Sequence, residues 1–152
     1  MTSREIVAGA AVAVAVANGL VGAYGWFRWY LVQESRGFWI GVRVGQLASL
    51  GYAVLVGGLW VAGRRPDDSL FYIYALLPLA IGMIAEQLRL AAAEQVLLTR
   101  GLENAQAVGE LPQDEQRSVV VAILRREMGV MAAAALVVSF LLLRAWGTAH
   151  GF

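Results

Sequence analysis

Residues 69–100 read SLFYIYALLPLAIGMIAEQLRLAAAEQVLLTR. The first seventeen, 69–85, carry no formal charge; Glu86, Arg89, Glu94 and Arg100 follow in quick succession. Between residues 86 and 100 the chain consists mostly of Leu, Ala, Glu, Gln and Arg, all good helix formers. No Gly or Pro interrupts it until Gly101, which reads as a helix C-cap. One helix therefore begins in a stretch that wants lipid and ends in a stretch that wants water. An apolar run of this length falls within the range of about 17–25 residues that crosses a bilayer.

Three more apolar runs lie on either side, at 6–27, 44–63 (reaching back over 38–42 past Arg43) and 128–143. With their flanks they predict membrane spans at about 6–30, 38–63, 69–89 and 124–145. Ala15-Val16-Ala17 resembles a small-residue cleavage site. The apolar run continues ten residues past it, so the first run is expected to be retained as a span. Connections at 33–37 and 64–68 are short, which forces antiparallel neighbours. Pro66 stops a helix, and Asp67, Asp68 or Ser69 can cap the next. Pro112, followed by Asp114 and Glu115, reads as the start of a continuous helix over 112–146. At 1.5 Å per residue the third and fourth helices reach roughly 45–50 Å, against a hydrocarbon core of ~30 Å. The expected fold is an all-α integral membrane protein, one domain over 1–152. It is a four-transmembrane-helix up-down-up-down bundle, with the third and fourth helices extended beyond the bilayer as a helical hairpin, a stalk at about 90–123.

Composition agrees. Of 152 residues, 59% are hydrophobic and 15% charged, where soluble domains carry about a quarter charged. The net charge of +1 and the absence of a basic cluster exclude a nucleic-acid partner. There is no Cys, which removes thiolate chemistry and thiolate metal cages. The single His, His150, cannot supply a haem ligand pair or a His-rich zinc site. No metal and no cofactor is expected, and no catalytic constellation points to an enzyme. All twelve basic residues are Arg, and Ala, Gly and Val abound, a composition that suggests a GC-rich bacterial genome and the bacterial cytoplasmic membrane.

The polar residues that remain gather at one depth. If the connections alternate sides, Arg28, Arg43, Gln46, Glu86, Gln87, Arg89, Arg125, Arg126 and Glu127 meet near one interface. Ionisable groups at such a place are candidates for function, here a pocket for a lipid head group, an ion or a polar substrate. The plainer alternative is a boundary network that staples the helices. Arg43 and Gln46 share a helix face at i, i+3 and sit one to two turns inside the apolar run. Pairing Ser69 with Leu143 and Glu86 with Arg126 gives the same antiparallel register. It predicts that Glu86 pairs with Arg125 or Arg126, and Arg89 with Glu127. Glu94 reads as part of a solvated face.

Small residues mark packing faces: Gly41 and Gly45, Gly58 and Ala62, and Gly129 with Ala133. Asn18, the one strongly polar side chain of the first run, is expected to act as helix-packing glue. Trp26, Trp29, Tyr30 and Trp39 flank one interface, and Trp60, Tyr72, Tyr74 and Trp146 the other. Eight arginines fall on the side of the first and third connections and four on the other, which predicts the stalk inside and both termini outside.

These features favour a structural or accessory subunit or scaffold, acting through helix packing and the hairpin within a homo-oligomer or larger membrane complex. The alternatives are a small transporter or channel, or a lipid-binding protein, using Arg43, Gln46, Glu86, Arg125 and Arg126.

Overall fold

The structure, a computed structural model, describes residues 2–150; Met1, Gly151 and Phe152, the ends of the expected domain, lie outside the described residues. Five helices follow in order: α1 (Ser3–Tyr30), α2 (Arg36–Val61), α3 (Leu70–Thr99), α4 (Ala105–Gly109) and α5 (Gln113–Thr148). There is no strand among the described residues. All but α4 are long and apolar enough to cross a membrane. Large apolar side chains lie exposed around them, including Leu20, Leu47, Val54, Met83 and Phe140. A surface of that kind belongs in lipid, and the four helices suggest an integral membrane location.

Local chemistry sets the helix ends. Thr2 and Glu5 form a capping box at α1, and the Ser35 hydroxyl accepts from Phe38 N at 3.2 Å to open α2. Asp68 Oδ1 accepts from Leu70 N at 2.8 Å at the start of α3. Pro112 precedes α5, whose first turn holds Asp114 and Glu115. Three helix ends close with the same paired 6→1 and 5→2 backbone bonds, from residues 33 and 32, 64 and 63, and 102 and 101. Gly63 (φ +77) and Gly101 (φ +69) occupy two of the left-handed positions, and Val32 (φ +52) the third.

α5 packs along both α1 and α3, and α1 packs on α2, each pair antiparallel; α2 and α3 touch sparingly. Two apolar clusters fill the interior. One, near the termini, joins Val7, Ala11, Tyr52, Val56, Phe71 and Leu142; the other joins Phe38, Val42, Ala85, Met128 and Met131. At the termini Arg4 Nη2 donates to His150 Nδ1 (3.1 Å), and Asp67 N to the His150 carbonyl (2.9 Å).

The α3–α5 register differs from the one expected. Arg144 lies over the Tyr74 ring, Arg89 faces Glu127, and Arg100 donates to Ser118. These pairs set α5 about one turn further along than a Glu86–Arg126 pairing requires. The cause is an asymmetric connection. α4 and the residues after it fold back onto α5, where Gln116 Nε2 donates to the carbonyls of Gly109 (3.1 Å) and Leu111 (2.8 Å). α5 therefore starts beyond the end of α3 rather than level with it.

Candidate functional site

α2 and α3 are held together by a polar bridge. Arg43 and Gln46, one turn apart on α2, point at Glu86 of α3. Arg43 Nη1 donates to Glu86 Oε1 and to Gln46 Oε1 (2.7 Å), and Gln46 Nε2 donates to Glu86 Oε1 (2.9 Å). The other carboxylate oxygen, Oε2, accepts from Arg89 Nε at 3.1 Å. Arg89 also faces Glu127 of α5 at 3.8 Å and lies over the Trp39 ring. Three donors thus bind Glu86, and the expected Arg89–Glu127 pair forms.

The expected partner of Glu86 is corrected. Arg126 Nη1 donates to Gln95 Oε1 (3.2 Å), about two and a half turns beyond Glu86, and Arg125 stacks over Trp29 of α1. The shifted α3–α5 register carries both arginines past Glu86, and Arg43 from α2 takes their place. Gln87 is exposed, on the side of α3 away from this network.

Beside the bridge, α2 and α3 stand apart over a cleft of about 560 Å³. Leu47, Leu50, Leu79 and Met83 form its sides, Asn18 and Val138 reach it from α1 and α5, and Arg43, Gln46 and Glu86 line one end. Gly82 and Pro78 account for part of the opening. A Cβ at Gly82 would meet nothing within 4 Å, and proline leaves one carbonyl of its helix without the usual donor. Past Arg43 and Leu47, which line both, a second cavity of about 780 Å³ is bordered by Glu34, Arg36, Trp39 and Arg89.

The packing residues divide. Gly41 and Gly45 lie against α1: a methyl on Gly45 would sit 2.6 Å from the Asn18 amide oxygen, and one on Gly41 would sit 2.8 Å from Val21. Asn18 is buried, yet its Nδ2 donates to Val14 of its own helix (2.9 Å), so no cross-helix bond of that amide group arises. Gly58 and Ala62 are exposed, and a Cβ on Gly58 meets nothing, so this pair packs against no other helix of the chain. The cross-helix bond comes instead from Ser139, whose hydroxyl donates to the Ala15 carbonyl at 2.7 Å. It is the only hydroxyl in the 128–143 run, which is the signal that the sequence carries for it.

Among the described residues no group of three His, Cys, Asp or Glu side chains is placed to hold a metal ion. The geometry offers an apolar groove ending in half-exposed guanidinium chemistry, which suits reversible binding of a molecule with an apolar body and a polar end. No protein-family model matches the chain, and no curated protein or solved structure does. Fold and site define an all-helical protein with four candidate membrane spans and a side cleft.

Proposed function

We propose that this is a four-span membrane protein that binds a lipid-like amphiphile, which reaches the α2–α3 cleft sideways from the bilayer. In this reading α1, α2, α3 and α5 cross the membrane up-down-up-down as a single domain. Arg43, Gln46 and Glu86 mark the interface. The outer parts of α3 and α5, whose lengths come to about 45 and 54 Å, project from it on the cytoplasmic side of a bacterial membrane. The observation that carries the reading is the cleft itself, apolar along its walls and polar at one end. A conduction path has less support, because the half of the bundle near the termini is filled by Tyr52, Val56, Phe71 and Leu142.

Native mass spectrometry after mild detergent extraction tests the reading. The wild type should retain lipid, Gly82→Leu should lose it by filling the cleft, and Gly51→Leu, on an open outer face, should retain it. A wild type that carries no lipid, or equal retention in both variants, would sink the proposal.

A second reading, an accessory subunit or scaffold, is favoured by the hairpin. Leu90, Leu98 and Val120 are exposed beyond the Arg89–Glu127 pair, Leu98 by 73%. Apolar side chains that stand in water invite a protein partner or another copy. Photocrosslinking from position 98 in native membranes should give a discrete protein adduct; lipid adducts alone would count against it.

A further inference from the structure

The polar end of the α2–α3 cleft opens beside a second cavity bordered by Arg36, Arg43 and Arg89. We infer that the occupant is a phosphate-bearing anionic lipid, whose head group rests in the cavity between Arg36, Arg43 and Arg89 while one chain lies in the α2–α3 cleft. The inference rests on the cleft reading and adds the head-group chemistry.

Three observations support it. The two cavities share Arg43 and Leu47, so they are neighbours along α2, and one molecule passing over these two side chains reaches both. Their chemistry differs in the way an amphiphile's two ends differ: Leu47, Leu50 and Met83 on one side, and three guanidinium groups on the other. The charged lining of the outer cavity is also mostly cationic: Arg36, Arg43 and Arg89 border it with one carboxylate, Glu34. Glu86, which pairs with Arg43 and Arg89, and Glu127, which faces Arg89, do not line it, so Arg36 and the free donors of Arg43 are what it offers an anion.

Guanidinium suits a phosphate because its planar donors match two phosphate oxygens at once. Arg36 is exposed and stands in the first turn of α2, where no acid balances the helix dipole. Arg43 is half exposed, with 53% of its side chain open, while only its Nη1 is spent on Glu86 and Gln46. Both arginines can therefore turn remaining donors outward without breaking the bridge. From Pro78 to Glu86 the cleft spans nine residues of α3, a rise of about 12 Å, which takes up part of one chain and leaves the rest in the bilayer.

The test uses the full chain in detergent with two single-chain probes of equal chain length, lysophosphatidylglycerol and the phosphate-free monoacylglycerol, with retention read by native mass spectrometry. The wild type should prefer the anionic probe by about thirtyfold, the scale of two arginines at a membrane surface. Arg36→Gln and Arg43→Gln should each lower that preference while the monoacylglycerol probe still binds. Arg36 makes no bridge contact, so its variant keeps the test open if Arg43→Gln fails to fold. Equal retention of both probes, or a preference unmoved in Arg36→Gln, would overturn the head-group assignment and leave the cleft reading standing. Failure of both probes to bind would overturn the cleft reading itself. Displacement of the anionic probe by millimolar inorganic phosphate as readily as by the same lipid would show a free-anion site and overturn the lipid assignment.

Discussion

Two seams of the bundle use the same small residues to opposite effect. Along α1–α5 every glycine at the contact is filled by its neighbour. A Cβ on Gly19 would meet the Ser139 hydroxyl at 2.9 Å, one on Gly22 the Leu136 side chain at 2.7 Å and its backbone nitrogen at 3.0 Å, and one on Gly129 the Trp29 ring at 3.0 Å. Along α2–α3, Gly82 faces open space, and the helices are joined by the bridge from Arg43 and Gln46 to Glu86. In lipid there is no hydrophobic force between helices, so contact has to come from close van der Waals packing or from polar bonds. The first seam takes the former route along its length. The second takes the latter at one end, which leaves the remainder free to hold something else.

The largest expected effect separates the seams directly. Gly22→Leu should destabilise the detergent-solubilised protein by about 1–3 kcal/mol, because the new side chain must displace backbone as well as side chain of α5. Gly82→Leu, compared with delipidated wild type, should cost nothing measurable, since its Cβ meets no protein atom within 4 Å and it replaces glycine by a better helix former. Thermal or denaturant unfolding of the pair checks this. Equal losses would mean that the α2–α3 gap closes in the folded protein, and the comparison would fail.

The bridge comes next. Glu86→Gln removes the charge that three donors share, and charged hydrogen bonds of this type contribute about 1.5–3 kcal/mol. Arg43 is half exposed and can turn to water, so the loss should fall near the lower end. A reversed pair, Glu86→Arg with Arg43→Glu, should recover part of it; Glu86→Arg with Arg126→Glu should not, because Arg126 lies with Gln95. Rescue by the Arg126 combination would restore the symmetric register and remove the turn-long shift of α5.

What the sequence discloses follows the same division. The four apolar helices, the cap at Gly101 and the start of α5 after Pro112 are local properties, written in runs of residues and in helix-breaking chemistry. The clustering of Arg43, Gln46, Glu86, Arg89 and Glu127 follows from depth alone, which counting residues supplies. Which arginine meets Glu86 depends on rotation about the helix axis and on a loop that folds back through Gln116. Neither is periodic, and neither leaves a mark in composition. The same holds for Gly58, which carries the spacing of a packing face and has nothing of its own chain to pack on.

The smallest expected effect lies in the turn that carries the chain from α1 into α2, between the closed seam and the open one. Val32 holds the left-handed position that Gly63 and Gly101 hold at the ends of α2 and α3, with the same pair of closing bonds. A β-branched residue is strained there, by roughly 1–2 kcal/mol, because its Cβ crowds the following carbonyl. Val32→Gly relieves that strain but frees the unfolded chain, which takes back about 0.4–1 kcal/mol. The exposed valine side chain adds little to either side of the balance. The variant should therefore be more stable by about 0.5–1 kcal/mol, seen as a modest rise in melting temperature, with lipid retention unchanged. Loss of retained lipid in a more stable Val32→Gly protein would mean that the strained turn holds α2 away from α3. The open seam would then be a property of that turn, and the missing side chain at Gly82 would be secondary.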